Sequence, residues 1–179
     1  MTADSPEMTR VLYQALCACL GLSPDTAAAA ALVQAAYAGG EAAPQPPPGR
    51  NVIYFSLLRE AEPPGSAWPQ TRTGRDGAET VRSLLAYRLL AVCLGPDAER
   101  HAHRIRSLLF QDGAGQPRAL LRQAGIFPVP RPPQPLLVTE IENGLPRRRA
   151  DAEISLRVRD EISVRASGIR SAPDIIIHR

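Results

Sequence analysis

Ala150-Asp151-Ala152-Glu153-Ile154-Ser155-Leu156-Arg157-Val158 is the stretch on which the fold turns. Successive side chains of an extended strand point to opposite faces, so Ala150, Ala152, Ile154, Leu156 and Val158 share one face. Asp151, Glu153, Ser155, Arg157 and the following Arg159 share the other. A strand that is apolar on one side and charged on the other belongs to a sheet covered on one face and wet on the other, the usual habit of antiparallel sheets. Just upstream, Leu136, Leu137, Val138 and Ile141 predict a strand, and Asn143-Gly144 predicts the turn that joins the two. Val52, Ile53, Tyr54, Phe55 and Leu57 predict another strand, closed by the turn Glu62-Pro63-Pro64-Gly65, and Ile175 to Ile177 a last short one.

Helical spacing appears elsewhere. Val11, Leu12, Ala15, Leu16, Cys19 and Leu20 line one face of a helix over Pro6 to Leu20, with Gly21 as its stop. Ser23-Pro24-Asp25 supplies a capping residue and a first-turn proline for an alanine-rich helix over Thr26 to Ala38, ended by Gly39-Gly40. Asp97 can cap a third helix whose stripe is Ala98, Ala102, Ile105, Leu108 and Leu109, opposite Glu99, Arg100, His103, Arg104 and Arg106. Pro117 opens a short fourth helix through Ala124, ended by Gly125. Residues Val81 to Leu94 fit two patterns: Val81, Leu84, Leu85 and Tyr87 to Leu90 suit a buried helix, whereas Ser83, Leu85, Tyr87, Leu89, Ala91 and Cys93 suit one face of a long strand.

Helices set between strands, with hairpin spacing toward the end, predict an α+β fold: a mainly antiparallel β-sheet flanked by α-helices, with an N-terminal helical segment and proline-rich extended arms. Twelve of the 18 prolines cluster at Ala43 to Gly49, Pro63 to Pro69 and Pro128 to Pro135. Pro46-Pro47-Pro48 predicts an extended connector. The expected organisation is therefore a helical segment over 1–40, a linker over 41–50 and an α+β domain over 51–179.

At 179 residues the chain suits one domain, which buries roughly 70% of the surface of its unfolded form. Only 4% of residues are aromatic, so the core must rest on Leu, Ile, Val and Ala. A net charge of +3 is far from the dense positive field of a dedicated DNA-coating protein. No run approaches the ~18 apolar residues of a membrane span, and Met1 to Ser5 lacks the basic start of a signal peptide, so the expectation is assembly in a cytosol without a membrane partner. Cys17, Cys19 and Cys93 read as reduced thiols.

No residue pattern supplies a catalytic, cofactor or metal site. Asp112-Gly113-Ala114-Gly115-Gln116-Pro117 lacks the lysine and third glycine of a phosphate cradle and reads as a loop between helices. His101 and His103 stand about 200° apart around a helix and cannot grip one ion from it, so both read as partly exposed side chains. Glu140 with Glu142 and Asp160 with Glu161 read as solvated strand-edge and turn carboxylates. Arg147, Arg148 and Arg149, with Arg157 and Arg159, form the strongest charge feature and are the interface candidates. They suit phosphate binding, a charged edge guarded against stray pairing, or an acidic surface on a neighbouring subunit.

Several short motifs, in order, resemble the tailed-phage neck or tail terminator family. They are Gly95-Pro96-Asp97, Ile105 to Phe110, Asp112 to Arg118, Gly125 to Pro130, Arg147 to Asp151 and Ser155 to Val158. The resemblance covers the chain from about Asn51 onward. It implies a non-enzymatic virion subunit, assembled in the bacterial host cytoplasm, that forms a homo-oligomeric ring, commonly a hexamer. Such a ring caps the tail tube and offers a joining surface to the head-side connector or completion protein. A sheath protein becomes a further neighbour if the tail is contractile, and DNA passes through the lumen without sequence-specific binding. The resemblance also implies that Val81 to Leu94 is a strand. The alternatives are a head-completion or connector protein of the same neck, and a small nucleic-acid-binding module.

Overall fold

A computed structural model describes residues 6–36, 49–61, 70–73, 78–113, 116–142 and 144–165. The elements run α1 (Pro6–Leu20), α2 (Ala27–Leu32), β1 (Val33–Ala35), β2 (Val52–Arg59), β3 (Gln70–Thr73), β4 (Ala78–Leu94), α3 (Ala98–Leu108), α4 (Pro117–Gln123), β5 (Ile126–Pro128), β6 (Leu136–Glu142) and β7 (Leu145–Arg165). All seven strands form one sheet of order β1-β2-β4-β7-β5, with β3 also beside β4 and β6 also beside β7. Among the described residues only β1 with β2 is parallel. The fold is α+β with a mostly antiparallel sheet.

The spine of this sheet is the antiparallel pair β4 and β7, in unbroken register from Ala78 opposite Arg165 to Leu94 opposite Arg149. On the far side of β4 lie β2 and β3 in succession, and on the far side of β7 lie β6 and β5. Period-2 alternation puts Tyr87, Leu89, Ala91 and Cys93 of β4 on the same face as Ala150, Ala152, Ile154, Leu156 and Val158 of β7, and all are buried. That resolves Val81 to Leu94 as strand. Helices α1, α3 and α4 cover this face: α3 lies against β7 and β4, and α1 against α3 and α4. Met8, Leu12, Leu16, Ile105 and Leu121 fill the layer between, in one core cluster that contains the thiols of Cys17, Cys19 and Cys93. Beyond Val158 the spine outruns its helical cover, and Ile162 is 55% exposed.

Four expectations are corrected. The alanine-rich helix does not reach Ala38. It stops at Leu32, and Val33 turns to extended backbone (φ −110°, ψ 121°) so that Val33, Gln34 and Ala35 pair with Ile53, Tyr54 and Phe55. A run of alanines has little bulk to bury as a helix, whereas the edge of β2 offers it main-chain hydrogen bonds. The cap is Thr26, whose Oγ1 accepts from the Ala29 N–H, and not a residue of Ser23-Pro24-Asp25. His101 is buried at 9% exposure, on the inner side of α3 beside Ala102 and Ile105, while His103 stays exposed next to Glu99. The strand read over Ala150 to Val158 grows to β7, because β4 pairs along its whole length beyond Arg149. Gly39-Gly40, the linker prolines, the Glu62 to Gly65 turn, Asn143 and Ile175 to Ile177 lie outside the described residues.

Candidate assembly interface

Two features of β7 place the arginines. Its register is regular, so Arg147, Arg149, Arg157 and Arg159 lie on the face away from the helices, and Arg148 on the helix side. Its length separates them: eight residues from Arg149 to Arg157 span about 27 Å. The candidates are therefore two groups along one strand and not a single patch.

In the first group the three arginines have different surroundings. Arg149 is enclosed by carboxylates. Its Nε and Nη2 donate to Asp151 Oδ1 and Oδ2, both at 2.7 Å, and its Nη1 donates to Glu140 Oε1. Asp151 is only 12% exposed, and the planar guanidinium meets its carboxylate two-pronged. Hydrogen bonds to Asp151 first and Glu140 second raise the Arg149 pKa further, so this cation is fixed and locally neutralised. Arg147 stands opposite Glu140 in register, and although burial raises the Tyr54 phenol pKa, the charge of Arg147 works against that rise. Arg148 is exposed, and its carbonyl accepts from the Gly95 N–H, which ties the β4–α3 corner to β7. Arg147 and Arg148 line a concavity of about 400 Å³ with Gly49, Gly95, Pro96 and Pro146.

The corner itself is braced by Asn51. Its Nδ2 donates to Asp97 Oδ2 and its Oδ1 accepts from the Asp97 N–H, both at 2.9 Å, so Asp97 is held from across the sheet and makes no side-chain cap to α3.

In the second group, Arg157 is half-buried and Arg159 exposed. Gly125, at φ +75°, passes so close that a Cβ there would lie 3.3 Å from Arg159 Cβ, and its carbonyl accepts from the Arg159 N–H at 2.8 Å. Between the groups the wet face carries the pairs Arg88–Glu60 at 2.6 Å and Arg88–Glu153 at 3.6 Å, with Arg82–Glu161 at 3.2 Å further out. This is a mixed-charge face whose exposed pairs contribute little to stability, because water screens them.

Exposed apolar side chains lie on β6 and on the wet face of β4. Leu136, Leu137 and Ile141 of β6 are 63%, 53% and 79% exposed, and Leu84 on the wet face is 47% exposed. Adjacent Leu136 and Leu137 point to opposite faces, so β6 is uncovered on both sides. In the Asp112 loop, Asp112 accepts from Arg118 and Arg122 at 2.7 and 2.9 Å, an anchoring role for the start of α4. Among the described residues no group of three His, Cys, Asp or Glu could hold a metal ion, and no helix is long and apolar enough to cross a membrane.

Residues 7–178 match the family described as phage neck terminator protein. The chain belongs to that family. No curated protein matches it significantly. As a neck terminator protein it is a structural component of the tailed-phage virion neck and associates with other neck and tail proteins, which speaks against an enzymatic role. The match extends into α1, upstream of Asn51, where the resemblance read from the sequence begins. Glu140 and Asp151 were the residues that sequence reasoning missed as partners of Arg149; the same-face spacing of Arg149 and Asp151 was the available signal.

Proposed function

We propose that this neck terminator protein forms a ring, of six copies in the favoured arrangement, that caps the finished tail tube and presents its other face to the head-side connector or completion protein. Its membership of the terminator family carries the reading. The uncovered β6 strand and the spine beyond Val158 support it, because both add contact surface without enlarging the core. In this reading the mechanism is geometric: one face of the ring matches the tube end, and the other offers no seat for another tube subunit. The arginines Arg147, Arg148, Arg149, Arg157 and Arg159 serve contacts between subunits, and DNA passes through the lumen without sequence readout. Residues 41–50 act as a linker between the helical segment and the rest, and a contractile tail would add its sheath to the neighbours.

The carboxylates around Arg149 favour this over a nucleic-acid-binding module, since they neutralise one of the cations that such a module would aim at phosphates. The test is a phage lacking this chain, examined by electron microscopy. Heads that fail to join to tails, with tubes of unregulated length, are the expected result; normal joined particles would sink the proposal. Heads and tails of normal length that fail only in joining would favour the head-completion reading instead.

A further inference from the structure

A groove runs between the first half of α1 and β1, at the edge of the sheet opposite to β6. It holds about 430 Å³ and is walled mainly by Pro6, Tyr13, Val33, Ala35 and Phe55, with Arg10 among its lining residues. Beside it, β1 is the terminal strand of the sheet, and among the described residues nothing pairs with its outer edge. Apolar walls next to a free strand edge form a receptor for an extended apolar segment, which gains main-chain hydrogen bonds along the edge and pockets for alternate side chains.

The chain contains such a segment outside the described residues: Pro173-Asp174-Ile175-Ile176-Ile177. Three consecutive isoleucines favour an extended, half-buried backbone, and Asp174 supplies a carboxylate to complement Arg10. We propose that this segment of one copy adds as a strand to the outer edge of β1 in a second copy, with the isoleucines seated against the groove. Reach makes the exchange intermolecular. Ala35 is in register through Phe55 and Ala91 with Ala152, and Arg165 stands 13 residues further along β7, about 44 Å away. Even Ile177, the last of the three isoleucines, follows Arg165 by only twelve residues, which span at most ~43 Å at full extension, and the three strand spacings between β7 and β1 lengthen the path further. The segment thus falls short of its own groove and meets that of a neighbour. Repeated from copy to copy, a contact between two different surfaces closes a ring when its rotation allows.

The probe is a labelled peptide of residues 169–179, titrated with the full-length chain and followed by fluorescence anisotropy. Saturable binding is expected, weakened at least tenfold by Ile176→Asp in the peptide and by Ala30→Trp or Ala35→Trp in the protein, two exposed groove positions whose variants should keep the parent's circular dichroism. Absence of binding, or binding indifferent to all three changes, would overturn the proposal. In a second arm, full-length Ala35→Cys chains mixed with Ile176→Cys chains should form a disulfide-linked species of two-chain mass. A chain carrying both cysteines that closes instead on itself as a monomer would overturn the intermolecular assignment. The inference rests on the neck reading for its supply of neighbouring copies, and the two fail separately. Particles that require this chain for joining while the peptide does not bind would remove the strand exchange alone, whereas peptide binding in a chain dispensable for joining would remove the neck reading and leave the exchange standing.

Discussion

Gly95 turns β4 into α3 at φ +109°, and a Cβ there would meet the Arg50 carbonyl oxygen at 2.6 Å and Asn51 Cα at 2.9 Å. Both obstacles are backbone and cannot swing aside, so Gly95→Ala should cost about 3 kcal/mol or more, read from the midpoint of urea unfolding. The buried thiols make a second prediction. Burial pushes Cys19 and Cys93 from an ordinary 9.0 up to about 12. Between those values the folded chain holds protons that the unfolded chain has lost, so the contribution of these thiols to stability is level below pH 9 and falls as pH rises toward 12. Urea titrations at pH 8 and pH 10.5 should show this fall, and it should shrink in Cys93→Ala once the cavity cost, constant with pH, is subtracted. An alanine variant with the parent's pH slope would remove Cys93 as a cause.

The β6–β7 hairpin shows at the element scale how a pattern was only half readable. Its strands and two-residue turn follow from alternation and Asn143-Gly144, whereas the junction of Arg149 with Glu140 and Asp151 depends on register, which brings a residue two places off the direct cross-strand position within reach. Asp151→Asn leaves Arg149 with a weaker acceptor in a half-buried site and should lower stability by about 1–2 kcal/mol in urea unfolding. Substitution at Ile141 should behave oppositely. Because its side chain is 79% exposed, Ile141→Lys should change stability by no more than about 0.5 kcal/mol. If β6 is an assembly surface, the same change should block incorporation into particles, scored by immunoblot of purified virions. The helix read over Thr26 to Ala38 failed for an element-scale reason too, since pattern cannot show that a neighbouring strand has a free edge.

Across the whole molecule, the two arginine groups are distributed along one strand and interleaved with acids. Reversal of the exposed members, Arg148→Glu with Arg159→Glu, should leave the thermal unfolding midpoint within a few degrees, because neither side chain is buried in the core. Complementation of a phage lacking the chain should then drop at least tenfold if these charges meet neighbouring subunits; full infectivity would show that they face solvent in the particle. The same variant tests nucleic-acid binding, since loss of a salt-dependent affinity for duplex DNA in step with infectivity would point to phosphates as the partner.

The order of most elements, the one-sided sheet and the position of α1 were written in local periodicity, because side-chain direction repeats every 2 or 3.6 residues whatever the surroundings. The strand identity of Val81 to Leu94 was not, since its apolar positions satisfy both periods; it is settled by seventeen consecutive pairings with β7, contacts between residues up to 87 positions apart. The burial of His101 and the carboxylate cage of Arg149 belong to the same class. Each depends on which distant strand or helix arrives beside a residue, and that is a property of the packed sheet and not of any stretch of chain.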